Sequence, residues 1–451
     1  MTVLDIAIVN VALVTIGKKL DFSPDSLQWV ITAYAITFGG FLLLGGRAAD
    51  LLGRRRVFMV GLAIFTGASL ACGLATSEAF LIVARGVQGF GAAVVSPAAL
   101  SIVSTTFEEG AERNKALGIW GAVAGSGAAV GVLLGGVLTS YLGWEWIFYV
   151  NVPVGAACLA LTPFLVHESR VETDRRQYDV AGAVSITTAL ILLVFAVSKA
   201  PEVGWGTAQT IGLLAGSAVL GAVFLLIETR AERPLMPLGI FRVRVLAGAN
   251  VVGLLLGGAI FGSFFLLTLY MQAILHYRAL IAGVAFLATA GTSVVAAVVA
   301  QALVTRVGVR RILAIGMALI AFGQIWYTQI SVHGTYPVDL LPGFLATGVG
   351  IAFAFVPVSI AALAGVSHDE AGLASGLINT SQQIGGAIGT AVISSVAIAG
   401  SGASAATLVH GYSKGFWVGF AIAVAAVAAT LGLIRERDVP VQQVQETLGV
   451  A

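Results

Sequence analysis

Two formal charges sit well inside apolar stretches of this sequence: Asp5 near the start and Arg85 further on. A charge at the centre of a lipid-spanning helix costs roughly 2.5–3.5 kcal/mol on insertion scales, so such residues face a cavity or a partner. Burial favours the neutral form of a carboxylate, which makes Asp5 a candidate to take up and release a proton. The plainer reading is a hydrogen bond to a neighbouring helix with no titration. Arg85 is read either as a cation that tunes a nearby acid and changes partners, or as an anchor to backbone carbonyls. Two further acids near span ends, Glu78 and Glu228, are alternative proton carriers.

A second pattern is basic and glycine-rich. Gly46, Arg47, Asp50, Gly53, Arg54, Arg55 and Arg56 fall between two long apolar runs, and Arg306, Gly308, Arg310 and Arg311 repeat it more weakly. Gly53 aligns with Gly308, and paired arginines follow at the same offset. Such a parallel repeat, one basic segment after the second helix of each half, is an architecture of secondary transporters. The span before Asp50 is expected to end where the glycines begin, leaving a short turn. There Asp50 accepts from Arg54 and from a helix N-terminus. Arg55 and Arg56 are expected to serve topology only.

The elements that position these residues follow from composition. The chain is 58% hydrophobic and 10% charged, with mean hydropathy +0.98; soluble domains carry about 25% charge. Apolar runs of about 20 residues recur, long enough to cross a hydrocarbon layer of roughly 30 Å. About fourteen spans are expected, in an all-α polytopic membrane protein. If both termini are cytoplasmic, 18 of the 24 Lys and Arg lie in inner segments and 5 in outer loops, as the positive-inside rule requires. The predicted domains are an N-terminal six-helix bundle at 1–166, a linker with two inserted spans at 167–243, a C-terminal six-helix bundle at 244–434 and a cytoplasmic tail at 435–451. The first span is short, which predicts a native start upstream of Met1. Arginine far outnumbers lysine, which suggests a bacterial source and a cytoplasmic membrane location.

Glycines 121, 125, 127, 131 and 135 step mostly by four along the fifth span. That spacing lines small residues on one stripe and lets backbones approach closely. The partner is expected in the other half. Tyr34, Gln88, Trp120, Gln272, Asn379, Gln382 and Gln383 are polar residues inside spans. They are candidates for substrate contact, and interhelical hydrogen bonds explain them equally well. Cys72 and Cys158 lie in apolar runs and the five histidines in or beside predicted loops, so no metal site is expected. There is no phosphate-binding G-x-x-x-x-G-K-[ST] segment, no nucleophile–histidine pair and no H-E-x-x-H, so no catalytic residues are assigned and an enzyme is not expected. No cofactor and no nucleic-acid partner are expected; the implied partners are a small molecule, protons and lipid, with the chain monomeric.

The motifs resemble the major facilitator superfamily, and within it the fourteen-helix drug:proton antiporter family. The resemblance rests on Asp5 and Asn10 in the first span, Gly46 to Arg56, Arg85-Gly86-Val87-Gln88-Gly89 on the fourth, Gly127, Gly131, Gly135 and Gly136 on the fifth, and Trp144 to Gly155 into the sixth. Leu51, Val132 and Glu145 depart from the family pattern. The resemblance implies a major facilitator fold, proton coupling through Asp5 and Arg85, and a latch between halves formed by Gly46, Asp50, Gly53 and Arg54. It also implies an antiporter motif at Gly127, Gly131, Gly135 and Gly136 that seals one side of a cavity. The expected function is proton-coupled export of amphipathic small molecules by alternating access, driven by the proton gradient. A symporter or uniporter of a specific metabolite, and a membrane protein that binds or assembles without transport, are the alternatives.

Overall fold

The computed structural model describes residues 1–106, 127, 130–131, 133–168, 179–231, 238–364, 366, 371–399, 401–402 and 404–435. Lipid offers no hydrogen bonds to a backbone, so apolar runs of this length satisfy their amides within helices. The spans are α1 (Thr2–Lys19), α2 (Trp29–Leu52), α3 (Arg54–Gly73), α4 (Glu78–Thr106), α5 (helical over 133–141), α6 (Asn151–Leu165), α7 (Val180–Val203), α8 (Ala208–Arg230), α9 (Arg244–Leu269), α10 (Ala279–Val307), α11 (Val309–Tyr327), α12 (Leu341–Leu363), α13 (Ala371–Ala399) and α14 (Ala405–Leu433). Among the described residues, ten helices are long and apolar enough to cross a membrane. Shorter apolar stretches, Trp29–Leu42 and Ala181–Val197, lie within α2 and α7. The protein is a polytopic helical membrane protein of two six-helix bundles with two inserted helices.

The repeat is visible as geometry. Gly53 and Gly308 join the second and third helices of their bundles with φ of +107° and +96°, a region open to glycine. Two residues beyond each glycine an arginine reaches the end of the sixth helix of its own bundle. Arg55 Nη1 donates to Val166 O (3.3 Å), and Arg310 Nη2 donates to Leu431 O (2.5 Å). A cation suits the negative end of a helix dipole. Gly131 and Gly135 press on the backbones of Leu4 and Ile8, and Gly385 and Gly389 press on Leu254 and Gly258 in the same way.

Four expectations are corrected. Gly46 to Leu52 do not form a turn: they are the last turns of α2, and only Gly53 leaves the helix. The small residues there serve packing, with Gly45 against Ala93 and Gly46 against Pro97 of α4. Among the described residues, the fifth-helix Gly131 and Gly135 meet α1 of their own bundle rather than a neighbour in the other. Helix α5 also meets the other bundle, among the described residues, where Leu280 N donates to Ser140 Oγ (3.2 Å). Arg55 does more than set topology, since its guanidinium donates to Val166 O; the Glu168 carboxylate, which caps α3, accepts from the backbone amides of Arg55 and Arg56 at 3.1 and 3.2 Å. Finally, His410, expected in or beside a loop, lies within α14, which begins at Ala405 because Ser404 and Thr407 form a capping box.

The inserted α7 lies across the seam between bundles. Thr187 Oγ1 donates to Gly40 O of α2 (2.7 Å), Phe195 packs on Trp29, and Ser395 of α13 donates to Val197 O (3.4 Å). Helix α8 packs on α7, where Ser217 Oγ donates to Ala189 O (2.7 Å). At the end away from Gly53 and Gly308, one apolar core crosses the seam, joining Ile8 and Phe148 to Phe265, Tyr270, Tyr327 and Phe416.

Gly53 carries a positive φ and its missing Cβ faces the Glu168 carboxylate. Gly53→Ala is expected to destabilise the detergent-solubilised protein by roughly 1–3 kcal/mol, the cost of a side chain in that backbone region. Gly67→Ala, in the middle of α3 with open space around it, is expected to leave the thermal melt unchanged or raise it. Equal melting shifts for the two variants would contradict this account of Gly53.

Candidate functional site

Five helices of the first bundle converge on one buried ion pair. Asp5 of α1 is 0% exposed and Arg85 of α4 is 1% exposed. Arg85 Nη1 donates to Asp5 Oδ2 at 2.6 Å. The other carboxylate oxygen, Oδ1, accepts from Gln88 Nε2 and from Asn151 Nδ2, each at 2.8 Å. Arg85 and Gln88 are three residues apart and so share one face of α4. Asn151 is the first residue of α6. Gln88 Nε2 also donates to Ser69 Oγ of α3 (2.7 Å), and its Oε1 accepts from Arg85 Nη1 (2.6 Å).

The guanidinium is equally well held. Its Nε donates to Val30 O of α2 (2.9 Å), and its carbon lies 4.4 Å from the centre of the Tyr34 ring and 5.7 Å from that of Phe148. A buried ion pair is tolerable only with such compensation, since desolvation of each ion costs several kcal/mol. The donor set fits an ionised Asp5. A proton on either oxygen would replace an acceptor with a donor and take the counter-charge away from Arg85.

Beside the pair is a narrow cleft between the bundles. Ile6, Ile31, Thr32, Tyr34, Ala35 and Arg85 line one wall; Phe261, Gln383, Gly386, Ala387 and Thr390 line the other. Arg85 thus belongs to both the ion pair and the cleft. The hydroxyls of Thr32 and Tyr34 are buried without a hydrogen-bond partner.

The structure brings together Asp5, Arg85, Gln88 and Tyr34, and it places Gln383 on the facing wall. The other candidates lie elsewhere. Gln272 donates to Val11 O (2.6 Å) and does not line the cleft. Gln382 packs against Gly253 and Gly257 of α9, and Asn379 is exposed. Gly127 is half-buried and Gly136 buried on α5. Arg54 opens α3. Asp50 is in the last turn of α2, and the contact expected of its side chain lies outside the described residues, as do Trp120, Gly121, Gly125 and Val132. Sequence reasoning missed Asn151, Ser69, Thr32, Phe261 and Thr390. For Asn151 a signal existed: an amide opening an apolar run, two residues before Pro153.

Residues 1–390 match the sequence pattern of the Major Facilitator Superfamily. The chain belongs to the major facilitator superfamily. It is 39% identical over 440 residues to the puromycin resistance protein of Streptomyces alboniger, covering 95% of this chain and 87% of that one. It is 40% identical over 431 residues to a cephamycin export protein of Amycolatopsis lactamdurans, covering 95% and 88%. A multidrug resistance protein of Mycobacterium tuberculosis is 37% identical over 396 residues, covering 88% and 73%. These relatives agree with the resemblance to the fourteen-helix drug:proton antiporter family. The fold is similar to that of an autoinhibited peptide transporter, with TM-score 0.65 at 15% identity, covering 96% and 94% of the two chains.

Leaving one ion of a buried pair without its partner costs about 3–5 kcal/mol, whereas removing both is often close to neutral. Arg85→Met is expected to destabilise by that amount, and Asp5→Asn with Arg85→Met by clearly less than the sum of the two single changes. Denaturation of the four proteins in mixed micelles measures the coupling; additive losses would mean that Asp5 and Arg85 do not depend on one another.

Proposed function

We propose that this transporter exports amphipathic small molecules in exchange for protons, by alternating access around the cleft between its two bundles. The observation that carries the reading is the double position of Arg85, which donates to Asp5 and lines the cleft. With Asp5 ionised, the guanidinium is held down on Tyr34 and the cleft wall stays largely apolar. With Asp5 protonated, Arg85 carries an uncompensated charge beside the cleft, and a bound apolar or cationic compound is disfavoured there. Proton and substrate then exclude one another, which is the requirement for antiport. Each tenfold proton ratio across the membrane supplies about 1.4 kcal/mol to the cycle.

Relatives named for puromycin resistance, cephamycin export and multidrug resistance support export of drug-like compounds. The chain is a transporter rather than an enzyme. We place it in a bacterial cytoplasmic membrane as a monomer with both termini inside, because basic residues concentrate around Gly53 and Gly308. The substrate is assigned to the cleft lined by Tyr34 and Gln383. The segment with Gly46, Asp50, Gly53 and Arg54 is assigned as the cytoplasmic latch, and the α5 glycines as the seal of α5 on α1. The two bundles, 1–166 and 244–434, are the bodies that rock, with 167–243 between them.

The test is transport in proteoliposomes with an imposed pH gradient, against a panel of cationic, neutral and anionic amphipaths. Asp5→Asn, the neutral mimic of the protonated state, is expected to weaken substrate binding and lose gradient-driven export, and Arg85→Ala to lose coupled transport. Arg85→Lys is expected to recover little, because one ammonium cannot replace the planar fork that spans Val30 O and Asp5. Glu78→Gln and Glu228→Gln serve as comparisons. Full gradient-driven export in Asp5→Asn would remove Asp5 from the mechanism, and accumulation in the direction of proton flow would identify a symporter.

A further inference from the structure

Alternating access requires that the bundle end opposite Gly53 and Gly308 open, and among the described residues three polar ties between the bundles hold that end together. Gln272 Nε2 donates to Val11 O at 2.6 Å, Ser394 Oγ bonds Gln28 Oε1, and Leu280 N donates to Ser140 Oγ at 3.2 Å. The first has an unusual construction. Gln272 sits in a π-helical turn, Tyr270–Ile274, that follows α9 directly. Leu275 N closes the turn on Tyr270 O at 3.1 Å, and the chain then leaves through His276 at φ +55°. A π turn re-aims the side chains beyond it and recurs at functional positions. Here it delivers an amide, 6% exposed, to a main-chain oxygen of the other bundle.

The acceptor lies on the same helix as the ion pair. Asp5 and Val11 are six residues apart on α1, about 9 Å along its axis. One end of this rod is held by Arg85, Gln88 and Asn151 through Asp5. Its middle is pressed by Gly135 against Ile8, and its other end is held by Gln272. A helix moves as a unit over this distance, so a change in the Asp5 network that shifts α1 strains the tie at Val11.

We propose that Gln272 is the bolt of the gate at this end: a positioning residue that sets the balance between closed and open states and links that balance to Asp5 through α1. The proposal rests on the alternating-access reading. It assigns Gln272 away from substrate contact, and it gives the π turn a purpose, to aim the bolt.

The test reads the gate without substrate or gradient, so failure of the transport reading and failure of the bolt are separable. Spin labels are placed at exposed Lys19 and Arg278, on a background with Cys72→Ser and Cys158→Ala. Distances are measured by pulsed double electron–electron resonance. Gln272→Met keeps length and removes the donor. One neutral hydrogen bond fewer is expected to raise the long-distance population roughly two- to tenfold. The same change is expected to raise the KM for substrate offered from the side of Gly53 by a similar factor while leaving kcat less affected. Gln324→Met is the comparison, since Gln324 bonds Ala259 and Ser263 within its own bundle; it is expected to lower stability without moving the distances. If Gln272→Met fails to fold, Gln272→Ala removes the same tie without added bulk and must give the same shift. An unchanged distribution in a folded Gln272 variant, or an equal shift in Gln324→Met, overturns the proposal.

Discussion

The arrangement of the first bundle follows from one demand: a carboxylate and a guanidinium placed in a medium of low dielectric must satisfy each other and every remaining polar position. Either charge alone would be left uncompensated by its burial. Together they need donors for the second carboxylate oxygen and an acceptor for Nε. Those come from four places, Gln88, Asn151, Ser69 behind Gln88, and Val30 O. The helices that carry them are α4, α6, α3 and α2, so the pair dictates how four helices meet α1. The same demand explains Tyr34, whose ring covers the guanidinium on the side that faces the cleft.

The second bundle repeats the frame without the charge. Gly131 meets Leu4 and Gly385 meets Leu254; one residue further along are Asp5 in the first case and Leu255 in the second. The polar residues at the heart of the second bundle are neutral: Gln324 with Ser263, and Tyr327 with Thr347. Such groups bond without changing charge over the physiological range. Corresponding glycine contacts therefore frame a bundle with a buried ion pair on one side of the cleft and one with neutral polar pairs on the other. Arg85 faces that neutral wall, where Gln383 and Thr390 offer hydroxyl and amide groups only.

How much of this was legible depends on how loudly each residue contrasts with its surroundings. Asp5 and Arg85 were legible because a charge within an apolar run has few tolerable fates. Gly53 and Gly308 were legible because each precedes a pair of arginines at a matching offset. Ser69 was not, and Asn151 was marked only by its place at the start of an apolar run: small polar residues are common in membrane helices, and nothing in their spacing says which neighbour they meet. Stripe periodicity showed that the α5 glycines pack closely and left their partner undetermined, since 3.6 residues per turn fixes a face and not its direction in space. The end of α2 was misjudged because glycine was treated as a breaker. Its helix cost is only about 1 kcal/mol, and close packing of Gly45 and Gly46 on α4 outweighs that. Partners distant in sequence, such as Arg55 with Val166, or Gln272 with Val11, follow only from the assembled bundles.

For two bundles to move against each other, each must be stiffer than the seam between them. The contacts are distributed in that way. Within each bundle, glycines bring backbones together at α5 on α1 and at α13 on α9, and an arginine ties the third helix to the end of the sixth. In the first bundle Glu168 adds a carboxylate across the N-terminus of α3, which fastens the chain where it leaves α6 for the inserted helices. Across the seam the polar ties are few and neutral, each worth about 0.5–1.5 kcal/mol net, and the apolar core beside them is non-directional and can shear. Helix α7 is the exception, since it bonds Gly40 of one bundle and is bonded by Ser395 of the other. Motion between the bundles must then slide α7 against either α2 or α13.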